Sequence, residues 1–266
     1  MILNNSPLKL ACPACKTGHL TLESETIHCT ACGALFPVRN GIIDFLPTSK
    51  EPPAAAPMKL ECMGRFYESR LWRRNILLTA LFLGIPFDRE YELILRAANL
   101  KGDEILLDLA CGPGTYTRPF AKRLTQGTVA GLDLSFGMLL YAVKRAQFEG
   151  VSNLLFIHGD ALDLPFPDNQ FDAVNCCGAL HLFPYGHVLR KVAHILKPGG
   201  RFTVGAVRHT GGGSLTRLRE YLWQKSGVYP FPQNELKSLL EEAGFTDIIW
   251  HHAKRCYQVV SAMKPQ

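Results

Sequence analysis

No apolar run in this chain is long enough to cross a membrane. The longest, Ile76 to Pro86 (ILLTALFLGIP), covers eleven residues, where a bilayer core needs ~20. The opening MILNNSPLKL has no basic n-region, no long apolar h-region and no small-residue cleavage site. No signal peptide is expected, and the chain reads as cytoplasmic. Strong charge of either sign is missing as well. The net charge is +6 over 266 residues, too modest for a dedicated nucleic-acid binder, although 59–74 and 208–225 are locally basic. There is no internal repeat and no bulk disorder. At 47% hydrophobic and 20% charged, the composition is that of a globular protein with a real core.

Four of the nine cysteines stand as two Cys-x-x-Cys pairs, Cys12/Cys15 and Cys29/Cys32, in CPACKTGHLTLESETIHCTACG. Four thiolates at this spacing form a tetrahedral metal site, best suited to Zn²⁺, with iron in a rubredoxin-like site as the alternative. Such a site is closed and has no open position for catalysis. His19 and His28 are surplus to it. Adjacent Cys176 and Cys177 within an apolar run, in an odd total of nine, suit a reducing compartment better than a disulfide framework.

Alternating apolar residues and turn signals suggest hairpins, one turning at Thr17-Gly18 and one at Asn40-Gly41. Residues 1–46 are therefore expected to be a small β-rich zinc ribbon. The next twelve residues, PTSKEPPAAAPM, hold four prolines and read as a linker over 47–58. From 59 to 99 the pattern is helical. From Glu104 onward, near-continuous apolar strands (EILLDLA, GTVAGLDL, NLLFIHGD, FDAVNCCGAL, GRFTVGAV) alternate with helices starting near Tyr116, Phe136 and Tyr185. This predicts an α/β domain, doubly wound around a mostly parallel sheet, over 59–266.

In such sheets ligands bind beyond the carboxyl ends of the strands. The first strand runs into LLDLACGPGTYT, where Gly112 and Gly114 let backbone approach a ligand closely. The dinucleotide fingerprint would need a third glycine where Thr117 stands, and no P-loop Gly-Lys-Ser/Thr follows. Asp108 offers instead a carboxylate suited to the ammonium of an amino acid.

LLDLACGPGTYT resembles the first motif of the class I S-adenosylmethionine-dependent methyltransferases. The likeness runs over 104–207, through Asp133 in VAGLDLSFGML, Asp160 in HGDALDLPFPDNQFDAV, and ILKPGGRF before the fifth strand. The key aspartates are 25 and 27 residues apart. The resemblance implies a seven-stranded sheet whose last strand is antiparallel, and S-adenosylmethionine as cofactor. Its implied contacts are Asp108, Ala110, Cys111, Gly112 and Gly114 at the first turn, with Asp133 on the ribose hydroxyls beside Leu134 and Met138. Gly159, Asp160 and Ala161 would hold the adenine, and Cys177, at the end of the fourth strand, would be a further cofactor contact. The helical segment 59–99 would act as a lid, with Tyr67 closing over the methionine end.

His181, in the stretch after the fourth strand, is the one titratable side chain placed to act as base or to orient substrate. The insert 208–231 would cover the acceptor with Tyr221, Trp223, Tyr229 and Phe231 beside Arg217 and Arg219. The nearest branch methylates quinones and other small molecules, so the expected acceptor is small and aromatic or apolar. The Pro-Pro-aromatic motif of nucleic-acid amino-methyltransferases is absent. An RNA methyltransferase is the alternative, since a family of ribosomal-RNA guanine methyltransferases also carries a zinc module. A non-catalytic methyltransferase-like binding module is the third reading. The Cys segment itself resembles the small zinc proteins that bind and activate certain methyltransferases, so a protein partner through it is a further expectation. Removing its metal is expected to unfold 8–46 and leave cofactor binding largely intact.

Overall fold

The computed structural model describes residues 7–16, 20–46, 61–69, 75, 84–211, 213–225, 228–231 and 233–266. Its contacts fall into two compact units, Met1–Glu68 with Leu100–Asp172, and Ser69–Asn99 with Ala173–Gln266.

In the first unit, the strands β1 (Leu20–Glu23), β2 (Thr26–Cys29), β3 (Leu35–Arg39) and β4 (Ile42–Asp44) form an antiparallel meander. The β1–β2 hairpin turns at Ser24-Glu25, with Ser24 at φ 55°. The expected turn at Thr17-Gly18 lies outside the described residues. The Asn40-Gly41 turn forms as read: both residues have positive φ (54° and 77°) and join Arg39 to Ile42, the conformation a two-residue hairpin loop requires. The strands β5 (Ile105–Leu109), β6 (Thr128–Asp133) and β7 (Leu154–His158) are parallel to one another and apolar on both faces. Helices α3 (Thr117–Arg123) and α4 (Phe136–Phe148) connect them.

The N-terminal segment does not pack as a separate body. Strand β4 pairs in parallel with β7 (Ile42 with Phe156, Ile43 with Ile157, Asp44 with His158), so the order is β1-β2-β3-β4-β7-β6-β5. The reason is the open edge of β7, whose unpaired backbone groups β4 satisfies while burying Ile42 and Ile43 completely. The proline-rich stretch expected as a domain boundary lies outside the described residues. Of the expected lid, α1 (Glu61–Tyr67) belongs to this unit, whereas α2 (Phe87–Ala98) belongs to the second.

The second unit contains the rest of β8 (Phe171–Cys177), then β9 (Leu196–Val207), β11 (Tyr257–Met263) and β10 (Thr246–Lys254), in the order β8-β9-β11-β10. Strand β11 runs antiparallel to both neighbours. The described strands number eleven rather than the seven expected, because β1–β4 add to the count. Strand β9 begins at Leu196, directly after α5 (Tyr185–Ile195), and Gly199 within it has a positive φ of 73°. Backbone bonds with Lys264 hold Gly199 and Gly200 on that ladder (2.9 and 2.8 Å). Helices α6 (Ser214–Lys225) and α7 (Gln233–Glu242) complete the unit.

Candidate active site

Three strand ends of the first unit lie side by side, because Leu109 is paired with Leu132 and Asp133 with His158. The chain leaves β5 through Ala110, a non-glycine residue at φ 55°, into Gly112 at φ 54°. At Gly112 a side chain would be strained, and the space a Cβ would enter is open. Asp133 fastens this turn: its Oδ2 accepts from Gly112 N (2.8 Å) and its Oδ1 from Ser135 N (2.8 Å). Each oxygen keeps a second lone pair, enough for two vicinal hydroxyls. Burial pushes the Asp133 carboxyl up, against the opposing N–H bonds from Ser135 and Gly112. Gly159 N donates to Asp133 O (3.0 Å), and Asp160 Oδ1 accepts from Leu162 N (2.9 Å).

Asp108 lies deeper than the sequence suggested. It is 2% exposed and accepts from Thr117 Oγ1 at 2.6 Å, so it anchors the start of α3. Cys111 is buried, and burial together with the charges of Asp133 and Asp108 raises its thiol well above the usual range. Its thiolate form is thereby disfavoured. Met138 and Ala161 are buried at the margins, the former with its N–H on the Ser135 cap (3.2 Å). Leu134 contributes a carbonyl that meets His158 Nε2 at 3.0 Å.

Tyr67 ends α1, which rests on α4: an added Cβ at Gly64 would lie 2.7 Å from the Tyr141 ring. The next residue, Glu68, went unremarked in the sequence. Its carboxylate accepts from Thr115 Oγ1 (2.9 Å), Arg118 Nη2 (2.7 Å) and Tyr141 Oη (3.2 Å). Arg118, 6% exposed, also binds Pro113 O (2.6 Å) and Glu149 Oε1 (3.1 Å). One buried guanidinium therefore ties the glycine turn, α1 and the end of α4 together. A basic residue just after the glycine motif was the only available signal, and nothing local named its partners.

His181 and Cys177 lie in the second unit. Cys177 Sγ is 3.3 Å from Tyr257 Oη, which donates to the buried Glu90 at 2.6 Å. Its thiol is thus held in that cluster. His181 sits in a 3₁₀ turn at Leu180–Leu182, 6% exposed, with no hydrogen-bond partner for Nδ1 among the described residues. Burial lowers its pKa to about 4. Its carbonyl accepts from Tyr229 N (3.3 Å). The insert expected to cover the acceptor divides: Trp223 and Phe231 are buried, whereas Tyr221 and Tyr229 are exposed. Of these four aromatics only the last two present their rings to solvent, Tyr221 with the Lys225 ammonium 5.6 Å from its centroid.

The four cysteines converge, their sulfurs within 4.8 Å of one another, with Cys12–Cys32 and Cys15–Cys29 at 3.7 Å. A tetrahedron with metal–sulfur bonds of ~2.3 Å has edges of ~3.8 Å, so the set fits a four-thiolate ion. Ala34 favours the Cys32 thiolate through its backbone, yet the neighbouring thiols and burial push Cys32 to about 12. Were all four ionised, a bound cation would offset their charge.

Residues 106–200 match the family model described as Methyltransferase domain, and 10–41 match that of Trm112p-like protein. The demethylmenaquinone methyltransferase of Geobacillus kaustophilus is 31% identical over 178 residues, 58% of this chain and 76% of that protein. The chain belongs to the class I S-adenosylmethionine-dependent methyltransferases, in their quinone-type branch. The demethylmenaquinone methyltransferase of Staphylococcus epidermidis is 28% identical over 207 residues, 69% of this chain and 78% of its own length. Among solved folds, a SAM-dependent methyltransferase from Aquifex aeolicus superposes with a TM-score of 0.57 at 19% identity. It covers 77% of this methyltransferase and 98% of itself. Phosphoethanolamine N-methyltransferase 2 of Haemonchus contortus, solved with S-adenosyl-L-methionine, gives 0.59 at 18%, covering 76% and 59%. Among the described residues of this methyltransferase, no helix is long and apolar enough to cross a membrane.

Proposed function

We propose that this methyltransferase holds S-adenosylmethionine at the ends of β5, β6 and β7 and methylates a small aromatic acceptor of the quinone class. The observation that carries the cofactor site is the Asp133 carboxylate bonded to Gly112 N (2.8 Å). It sets a bidentate acceptor for ribose hydroxyls beside a turn with open space at Gly112. Asp160 with Gly159 and Ala161 serves the adenine, Asp108 places negative charge beneath the methionine end, and Tyr67 covers it. The acceptor class follows from the demethylmenaquinone relatives and from the exposed Tyr221 and Tyr229.

Bound S-adenosylmethionine supplies a methyl group already activated on a sulfonium. The chain's own task is then to align, and to exclude water, which together supply up to about 7–11 kcal/mol of barrier lowering. His181, neutral at pH 7 because its pKa lies near 4, would receive the acceptor's proton at an imidazole nitrogen. Cys12, Cys15, Cys29 and Cys32 hold Zn²⁺ in a structural role, chemistry that suits the reducing cytoplasm. The zinc module's protein partner is this chain's own sheet, reached through β4.

The deciding experiment is transfer of labelled methyl groups from the cofactor to a prenylated naphthoquinol and, separately, to ribosomal RNA. Label in the quinol at neutral pH is expected. Label in RNA alone, with salt-dependent RNA retention, would replace this reading with the RNA one.

A further inference from the structure

Asp44 ends β4 of the N-terminal module, and its carboxylate is 4% exposed. Its Oδ1 lies 2.7 Å from His158 Nδ1 and accepts from Leu46 N at 3.1 Å, while Oδ2 accepts from Arg39. Burial alone would push this carboxyl up, but the His158 hydrogen bond and charge, with Arg39, hold it below the usual range. His158 ends β7, 2% exposed, and its other nitrogen meets Leu134 O at 3.0 Å. The ring stands between a carboxylate and a carbonyl, and neither can donate. Both contacts are satisfied together only with a hydrogen on each ring nitrogen. Phe136 packs edge-on against the imidazole (5.3 Å between centroids), and the Arg39 guanidinium covers the same Phe136 ring at 4.5 Å.

The neighbours of this imidazole give it a role. Leu134 directly follows Asp133, and His158 directly precedes Gly159 and Asp160. Both loops that build the proposed adenosine site are therefore fixed to a side chain that the N-terminal module holds by charge. We infer that Asp44 and His158 are positioning residues for the adenosine half of the cofactor, and that the module sets cofactor affinity through them. This rests on the assignment of the cofactor to the ends of β5–β7. It reverses the expectation that the module and cofactor binding are independent.

The test is calorimetric titration of the full, metal-loaded chain with S-adenosylhomocysteine and with adenosine. The variants are Asp44→Asn, His158→Gln and Arg39→Met. The first two are expected to weaken both ligands by roughly tenfold, the effect of one charge-assisted hydrogen bond. Arg39→Met, at the solvent end of the network with a side chain 43% exposed, weakens both by about two- to threefold. In steady state the KM for S-adenosylmethionine rises with kcat and the acceptor KM unchanged. A merely structural role would lower the number of binding sites and kcat instead, leaving Kd alone. That result, or affinities within twofold of wild type in variants of full stoichiometry, overturns the inference. Should Asp44→Asn or His158→Gln fail to fold, Arg39→Met decides by the same two readouts. No binding by the wild-type chain would instead overturn the cofactor assignment beneath it.

Discussion

His181 makes a prediction whose size follows from its surroundings. The ring is 6% exposed, and its Nδ1 has no partner among the described residues. Desolvation lowers its pKa from 6.5 to about 4. A histidine that binds its proton less readily when folded favours folding while neutral. Its contribution is fully present above pH 6.5 and is lost as the pH falls toward 4. At ~1.4 kcal/mol per pK unit, the loss amounts to about 3 kcal/mol. The perturbation is His181→Leu, which cannot take up a proton. Urea denaturation of both proteins between pH 7.5 and pH 4 gives a difference curve from which all other titrations largely cancel. Wild type should lose stability relative to the variant below pH 6.5, with a slope approaching ~1.4 kcal/mol per unit. A flat difference, or one of opposite sign, would mean that a counter-charge protects the folded imidazolium, and would refute the reasoning. The same variant tests the base role: kcat should fall about a hundredfold with cofactor affinity kept. Wild-type kcat should show no acid limb near 6.5.

Three further outcomes follow from the site. Arg118→Met breaks a buried pair with Glu68, and should cost about 3–5 kcal/mol by urea denaturation. Combined with Glu68→Gln, it should show a coupling above about 1 kcal/mol; additivity within ~0.5 kcal/mol would mean that the clamp on the glycine turn is not energetic. Gly112→Ala meets no atom within 4 Å but holds φ 54°, so it should cost only about 1–2 kcal/mol. Its S-adenosylhomocysteine affinity should fall at least tenfold, and unchanged affinity would move the ligand away from this turn. Chelating the metal should abolish the far-UV signal of β1–β4 and weaken S-adenosylhomocysteine binding together; binding that survives an unfolded module would sink the Asp44–His158 link.

What could be read in advance was local in sequence. The Asn40-Gly41 turn, the glycine turn after β5 and the helix starts at Phe136 and Tyr185 each depend on a few adjacent residues, and each formed as expected. The contacts that shape the site could not be read this way. Arg118 meets Glu68 across 50 residues, His158 meets Asp44 across 114, and Tyr257 meets Glu90 across 167. In each case the partner lies far along the chain and is reached only once the strands have assembled. His158 would end an edge strand had β4 not supplied a further one.

That strand carries a signal in retrospect. A ribbon of under forty residues can cover one face of its sheet at most, so its strands should alternate apolar with polar residues. Strands β1 and β3 do vary in burial along their length. Strand β4, Ile42-Ile43-Asp44, does not: all three residues are buried. Two adjacent isoleucines point to opposite faces of a strand, so both faces need cover that only a larger, helix-flanked sheet provides. Continuous apolarity at the end of a cysteine-bearing ribbon therefore argued for an inner position in a parallel sheet. The aspartate that follows is met inside the ribbon by Arg39 at Oδ2, which leaves Oδ1 for a partner from elsewhere in the chain, His158.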